Sequence, residues 1–445
     1  MRVVLALHQY LPHFCGGTEN LASGLAQELG RRGHQVRVIC GHPRIEGRES
    51  RLDETVDGIR VTRLISPLAS DPILLDVDFP RVAGIVVQIA REWKADLIHF
   101  LHFRLLSASA ASACAAEGLP VIWTPTDFWF RCPTIQGILS DGTPCSGPDR
   151  SGMNCLRHLA EMKGTMPSGL VRNFPLGLIY ACVRAVYLFS GRNGKWGQCF
   201  NDLKNRQDRI RDHLRRVSLI LSPTQTMIRE MTKFGLDPAR MEEVPFASVP
   251  PMTRDDRPRG TFPVLRLGFI GNLVPSKGVH VVLEAVRRMG TEVGFTLDIY
   301  GNPGAYSPYS RRLQGLSGGK PHIRFRGNFP PTQLTQVLSS LDVLLVPSIW
   351  EENSPLTALS ARSVGCPVMA SDVSGLAAII AAGRDGWLVP ANNVEAWRQS
   401  LTELIRRPIS VRQTAASVSP PRTLSEFTRQ VERTYTRTLG KDMTR

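Results

Sequence analysis

Along this chain, short apolar runs alternate with stretches whose apolar residues recur every third or fourth position. Residues 3–7 form a short apolar run, read as a first buried strand. Over 18–30, Leu21, Leu25 and Leu29 fall four apart, on one face of a helix that Gly33 ends. Further strands are predicted at 36–40 and 59–64, then a helix over 80–93 with Val82, Ile85, Val86 and Ile89 on one side. A strand over 97–103, a small-residue helix over 106–117 and strands at 120–123 and 217–221 follow. Residues 248–263 (SVPPMTRDDRPRGTFP) are rich in proline and charge and read as a linker. A second series comprises strands at 265–270, 296–300, 322–325, 341–346, 367–370 and 387–389, with a helix over 278–289. Phe427, Val431, Tyr435 and Leu439 mark a last helix that packs an apolar face back onto the body.

Strands separated by helices imply right-handed crossovers and parallel, doubly wound sheets. The expected fold is α/β. A Rossmann-like domain over 1–247 and another over 264–424 face a cleft, and the closing segment is 425–445. Ligands of open α/β sheets bind at the carboxyl ends of the strands, so a ligand is expected between the domains.

Composition narrows the classes. Apolar residues make up 42% and charged residues 21%, which fits a globular chain and argues against disorder. No run approaches the ~18 apolar residues of a membrane span, and the opening run is too short for a signal peptide. Nine cysteines, an odd count, suit a reducing cytoplasm better than a disulfide framework. The net charge is +15, and 156–216 alone holds twelve Lys and Arg against four Asp and Glu. No nucleic-acid-binding signature accompanies it. The apolar stretch 174–189 (FPLGLIYACVRAVYLF), flanked by basic residues, reads as an interfacial segment. The expected location is cytoplasmic, peripheral at the inner face of the membrane.

Candidate chemistry lies in four places. In 347–356 (PSIWEENSPL), Glu351, Glu352 and Asn353 precede a helix with Ser354 as cap and Pro355 as first residue. Free N–H groups at the helix N-terminus can hold a diphosphate, and a carboxylate beside them can bind sugar hydroxyls. In GNLVPSKG, Lys277 can neutralise a departing diphosphate. Gly16 and Gly17 let backbone approach a ligand closely. Cys132, Cys145, Cys155 and His158 supply a complete donor set for one structural zinc in a loop, 132–158, with little apolar content.

Seven segments, in order, resemble glycosyltransferase family 4: HQYLPHFCGGTE, DLIHFLH, TPTDFWFRCP, GFIGNLVPSKG, LDIYG, IRFRG and LLVPSIWEENSPL. The resemblance runs from Gly16 to Pro390 and implies a retaining GT-B enzyme. The C-terminal domain would bind a nucleotide sugar as co-substrate, the N-terminal domain the acceptor, and no metal would be needed for catalysis. It implies catalytic roles for Glu352 on the donor sugar, Lys277 on the diphosphate and Asp127 near the acceptor. Donor contacts extend to Gly16, Gly17, Asn272, Asn353, Ser354, Pro355, Leu356 and Ser360. Three positions depart from the family: Thr126 stands where relatives often carry histidine, Asn272 where they carry arginine, and Ser360 where they carry a second glutamate. His99 and His102, ending the preceding strand, offer imidazoles in the same neighbourhood. The acceptor expected is a lipid-linked or cell-surface glycan intermediate. A non-catalytic sugar- or nucleotide-binding protein and a GT-B sugar-nucleotide epimerase are the alternatives.

Overall fold

The structure is a computed structural model. It describes the chain apart from residues 43–50, 66–76, 136, 140–142, 150–151, 164–174, 176, 179, 183, 186–194, 250–251, 256–258, 260–263, 291–293, 305–306 and 441–445. The chain divides into two compact units, Met1–Val244 with Ser425–Arg445, and Pro245–Leu424.

The strands of the first unit are β1 (Arg2–Leu7), β2 (Gln35–His42), β3 (Arg51–Val56), β4 (Ile59–Ile65), β5 (Leu97–Phe100), β6 (Val121–Trp123), β7 (Leu219–Ser222) and β8 (Met241–Glu243). They form one sheet in the order β3-β4-β2-β1-β5-β6-β7-β8. Val3 to Leu7 are fully buried, which is why this central parallel strand reads as an unbroken apolar run. Leu21, Leu25 and Leu29 of the helix Gly17–Arg31 are buried, as their spacing predicts.

Several details differ from the sequence reading, among them a strand β8 that no apolar run marked. Strand β3 was not anticipated, because RLDETV is polar and lies at the sheet edge. It pairs antiparallel with β4 through a two-residue turn, Asp57-Gly58, in which both residues have positive φ. Strand β5 stops at Phe100 rather than 103. Leu105 and Ser107 adopt positive φ, and the following helix starts only at Ser109.

The second unit contains β9 (Leu265–Ile270), β10 (Phe295–Tyr300), β11 (Ile323–Gly327), β12 (Val343–Val346), β13 (Val368–Asp372) and β14 (Gly386–Pro390), all parallel, in the order β11-β10-β9-β12-β13-β14. Two arginines of the segment 248–263 are bonded into this unit. Arg254 donates to the carbonyls of Ala415 and Val418, and buried Arg259 to those of Leu338, Leu341 and Val364. The helix Leu424–Thr438 instead lays Phe427, Val431 and Tyr435 onto the first unit, all buried.

Each sheet grows in one direction and then the other. The reversal falls between β1 and β5 in the first unit and between β9 and β12 in the second. At such a switch point the connections on the two sides leave in opposite directions and open a crevice at the carboxyl strand ends.

Candidate active site

In the second unit, Lys277 follows β9 and Glu352 follows β12, so the two flank the switch point. They form an ion pair at 2.6 Å, with the carboxylate only 6% exposed. Glu352 Oε1 also accepts from Ser348 Oγ (2.6 Å) and Trp350 Nε1 (2.7 Å). All three bonds fall on Oε1. Oε2 has no bonded partner among the described residues. The Lys277 ammonium lies 4.8 Å from the centre of the Trp350 ring, so one side chain both bonds the anion and stacks on the cation.

Backbone contacts set this arrangement. Ile349 N donates to Ser276 O at 2.9 Å and ties the two loops together. Gly278 has φ +70°, and a Cβ there would overlap the Pro347 carbonyl. A Cβ on Gly375 would overlap the carbonyls of Glu352 and Asn353, so the helical turn Ser374–Ala377 after β13 packs directly on the backbone of those two residues. The helix after Glu352 is Leu356–Ser363. Pro355 occupies its N-cap position rather than its first turn, and Ser354 makes no capping bond. This corrects the predicted cap by one residue. Ser360 is fully buried and its hydroxyl has no partner among the described residues. Asn272 is exposed on the loop after β9.

In the first unit, two carboxylate–imidazole pairs meet at the switch point. His8 Nε2 lies 3.2 Å from Glu19 Oε1, and His102 Nε2 lies 2.9 Å from Asp127 Oδ2. The two imidazole rings stand 4.5 Å apart. Asp127 Oδ1 also accepts from Trp129 N, and Arg104 N donates to His102 Nδ1, so His102 carries its proton on Nε2 toward Asp127. Burial alone would raise the Asp127 carboxyl, but the electrostatic pull and hydrogen bond of His102, with the bond from Trp129 N, outweigh it, and the net shift is downward. Burial, then the neighbouring His102, holds His8 below the ordinary histidine range against the pull of Glu19. Glu19 stands in the first turn of the helix that Gly16 caps, so a carboxylate already lies at that N-terminus. Thr126 donates to Leu101 O. His99 lies deeper, bonded through Nδ1 to Tyr435 Oη (2.6 Å) and through Nε2 to Thr124 Oγ1 (2.7 Å).

Two family descriptions match the chain. "Glycosyl transferase 4-like domain" covers residues 16–151, and "Glycosyl transferases group 1" covers 265–407. The chain belongs to the family 4-like glycosyltransferases. A D-inositol 3-phosphate glycosyltransferase of Corynebacterium urealyticum is 32% identical over 146 residues, 31% of this chain and 34% of that protein. The matched stretch thus spans about a third of the curated relative. Among solved structures, HepE of Anabaena in complex with UDP and glucose is similar, with TM-score 0.61 at 15% identity. That likeness covers 98% of this chain and 99% of the other. Sucrose-phosphate synthase of Thermosynechococcus elongatus gives TM-score 0.65 at 13% identity over 99% of this chain and 100% of that one. At these identities the likeness shows the fold, which is GT-B.

Against this family background, the structure places Lys277 and Glu352 in direct contact, and Gly16, Gly17 and Asp127 at the other switch point. Four contributors were not singled out from sequence: His8, Glu19, Ser348 and Trp350. His8 and Glu19 flank the glycine pair in HQYLPHFCGGTE, which is the signal that would have found them. Cys132, Cys145, Cys155 and His158 lie elsewhere in the first unit, around a cavity of their own. No helix among the described residues is long and apolar enough to cross a membrane.

Proposed function

We propose that this glycosyltransferase-family protein moves a sugar from a nucleotide-sugar donor to an acceptor hydroxyl with retention of configuration. The observation that carries this reading is the Lys277–Glu352 pair at the switch point of the second unit. Glu352 offers Oε2 to donor sugar hydroxyls while three donors hold Oε1. Lys277 and the backbone N–H groups of Asn353, Ser354 and Leu356 stabilise the departing diphosphate, where negative charge grows in the transition state. Asn272 borders the donor in the second unit, and in the first unit Asp127, fixed by His102, orients the acceptor. The buried Ser360 hydroxyl replaces a ribose-holding carboxylate with a single neutral group, so donor grip rests more heavily on the phosphate end. HepE, a neighbour in fold, is described with UDP and glucose, which supports a nucleotide-sugar donor.

The test is product analysis with a panel of labelled nucleotide sugars. A transferase releases nucleoside diphosphate together with a glycosylated product of the donor's anomeric configuration, or with free sugar when water is the acceptor. An epimerised nucleotide sugar, or binding without release of diphosphate from any donor, would overturn the proposal.

The acceptor is read as lipid-linked, met at an anionic cytoplasmic membrane surface. Support comes from the twelve basic residues of 156–216 and the apolar stretch 174–189. Residues 174, 176, 179, 183 and 186–189 of that stretch lie outside the described residues, but Leu178 within it is exposed. Each basic residue near such a surface contributes about 1 kcal/mol. Vesicle co-sedimentation should show binding to anionic lipid that weakens with salt, leaving a salt-resistant apolar remainder. Equal, negligible binding to neutral and anionic vesicles at low salt would remove the membrane reading and leave the transferase reading intact.

A further inference from the structure

Away from the switch point, the loop after Trp129 encloses a cavity of about 230 Å³. Cys132, Cys145, Cys155 and His158 all line it. Three separate anchors aim them there. Cys132 N donates to Phe128 O, and buried Arg206 bonds the carbonyls of Trp129 and Phe130, so the start of the loop is fixed to the aromatic core. Cys145 is held by its N–H on Gly137 O at 2.8 Å, beside the Ile138–Pro144 bridge. Cys155 and His158 stand three apart on the helix Met153–Lys163 and therefore on one face. That helix is tied to the Cys145 turn. Asp149 accepts from Met153 N and Asn154 N, and Asn154 Nδ2 donates to Gly147 O at 2.7 Å.

Over 132–158 the loop buries little apolar surface: among its described residues Ile138, Met153 and Cys155 are the buried apolar ones, with Leu203 beside Cys155 and Leu156 and Leu159 against them. So small a cluster leaves a segment of this length short of apolar burial to hold it, and a cross-link is the usual physical remedy. The described thiols are free, so no disulfide between them supplies one.

We propose that this cavity binds one soft divalent cation of the zinc class through Cys132, Cys145, Cys155 and His158, and that the ion fastens the loop to the first unit. Three thiolates and an imidazole complete a tetrahedral set with no open position, which is the composition of a structural site rather than a catalytic one. As placed, no three His, Cys, Asp or Glu side chains among the described residues converge closely enough to hold an ion. The four line the wall instead of meeting at its centre, and the cation draws them in as it binds. The thiolate is the ligating form, so a proton carried by a ligand thiol passes to solvent as the cation binds. The closed site carries one net negative charge. Arg131 and Arg157 line the same cavity and offset it.

The inference is independent of the transferase reading, since it needs neither donor nor acceptor. Full-length protein purified without chelator should carry about one zinc per chain by elemental analysis. Cobalt exchanged into the wild-type protein should show a thiolate-to-cobalt charge-transfer band. Cys145→Ser and His158→Ala should each weaken metal binding at least about tenfold. Cys366→Ser, in the second unit, should leave it unchanged. Background zinc with no charge-transfer band in the wild-type protein would overturn the proposal without relying on any variant. So would a disulfide between two of the loop thiols in non-reduced peptide maps, or full metal retention in the double variant Cys132→Ser/Cys155→Ser.

Discussion

Glu352 shows how one carboxylate is prepared for a task. Lys277, Ser348 and Trp350 all bond Oε1, which fixes the side chain and leaves the second oxygen for a ligand. A group held this way does not reorganise when charge develops, which is the condition for electrostatic stabilisation of a transition state. Lys277 is itself held twice, by the carboxylate and by the Trp350 ring. Its side chain remains 26% exposed and so is reachable by phosphate. Lys277→Ala should weaken binding of a nucleoside diphosphate about tenfold and leave binding of the nucleoside nearly unchanged, as measured by calorimetry. Equal losses for the two ligands would contradict a phosphate role. Lys277 and Glu352 were legible in the sequence because each sits in a motif. Ser348 and Trp350 were not, because a loop folding back on itself by two and four residues leaves no periodic trace.

At the level of elements, the helix Leu424–Thr438 and strand β5 form a second buried polar joint. Tyr435 on the helix bonds His99 on the strand, and Glu432 reaches Arg32 and His34 at 2.7 and 2.8 Å. His99 is pushed down to about 3 by burial, against an ordinary value of ~6.5. A histidine with a lowered native pKa stays neutral in the fold while the unfolded chain takes up the proton. Its contribution is therefore complete above about pH 6.5 and is lost as pH falls toward 3. His8 shifts in the same direction. Asp127 is lowered too, but a carboxylate loses its contribution only below ~3.9, outside this window. Thermal unfolding followed by circular dichroism should show a midpoint that declines steadily between pH 6.5 and 4, and His99→Gln should flatten that decline. Identical slopes for wild type and variant would refute the assignment. The four-residue spacing of Phe427, Val431 and Tyr435 made this helix readable in advance. The edge strand β3 was not, since a polar strand half open to solvent has no continuous apolar run, and its only cue was the Asp57-Gly58 turn. The true start of the helix Ser109–Ala116 was hidden by two non-glycine residues in the left-handed region, which no propensity anticipates.

The whole molecule repeats one device. Each of its two parallel sheets reverses its order once, and each reversal carries ionisable side chains from the loops on either side. The alternation of apolar runs and helical periods was enough to predict two such sheets. The positions of glycine pairs and acidic loops marked where their reversals lie. Which of the three family departures matter was not legible, because that depends on burial. Ser360 is sealed, Asn272 is exposed and Thr126 is bonded to the backbone. All three lie outside the Lys277–Glu352 pair, which is intact, and the transferase reading rests on that pair.

The most direct measurement of that reading compares wild type with Glu352→Gln on the donor that the nucleotide-sugar panel selects. Release of nucleoside diphosphate is followed as turnover, and binding of the same nucleoside diphosphate is followed by calorimetry. The substitution keeps the size of the side chain but removes its charge. Turnover should fall about 100-fold or more, while diphosphate affinity changes by no more than a few-fold. A variant that retains full turnover, or one that loses diphosphate affinity as steeply as rate, would contradict the assignment of Glu352 to the donor sugar.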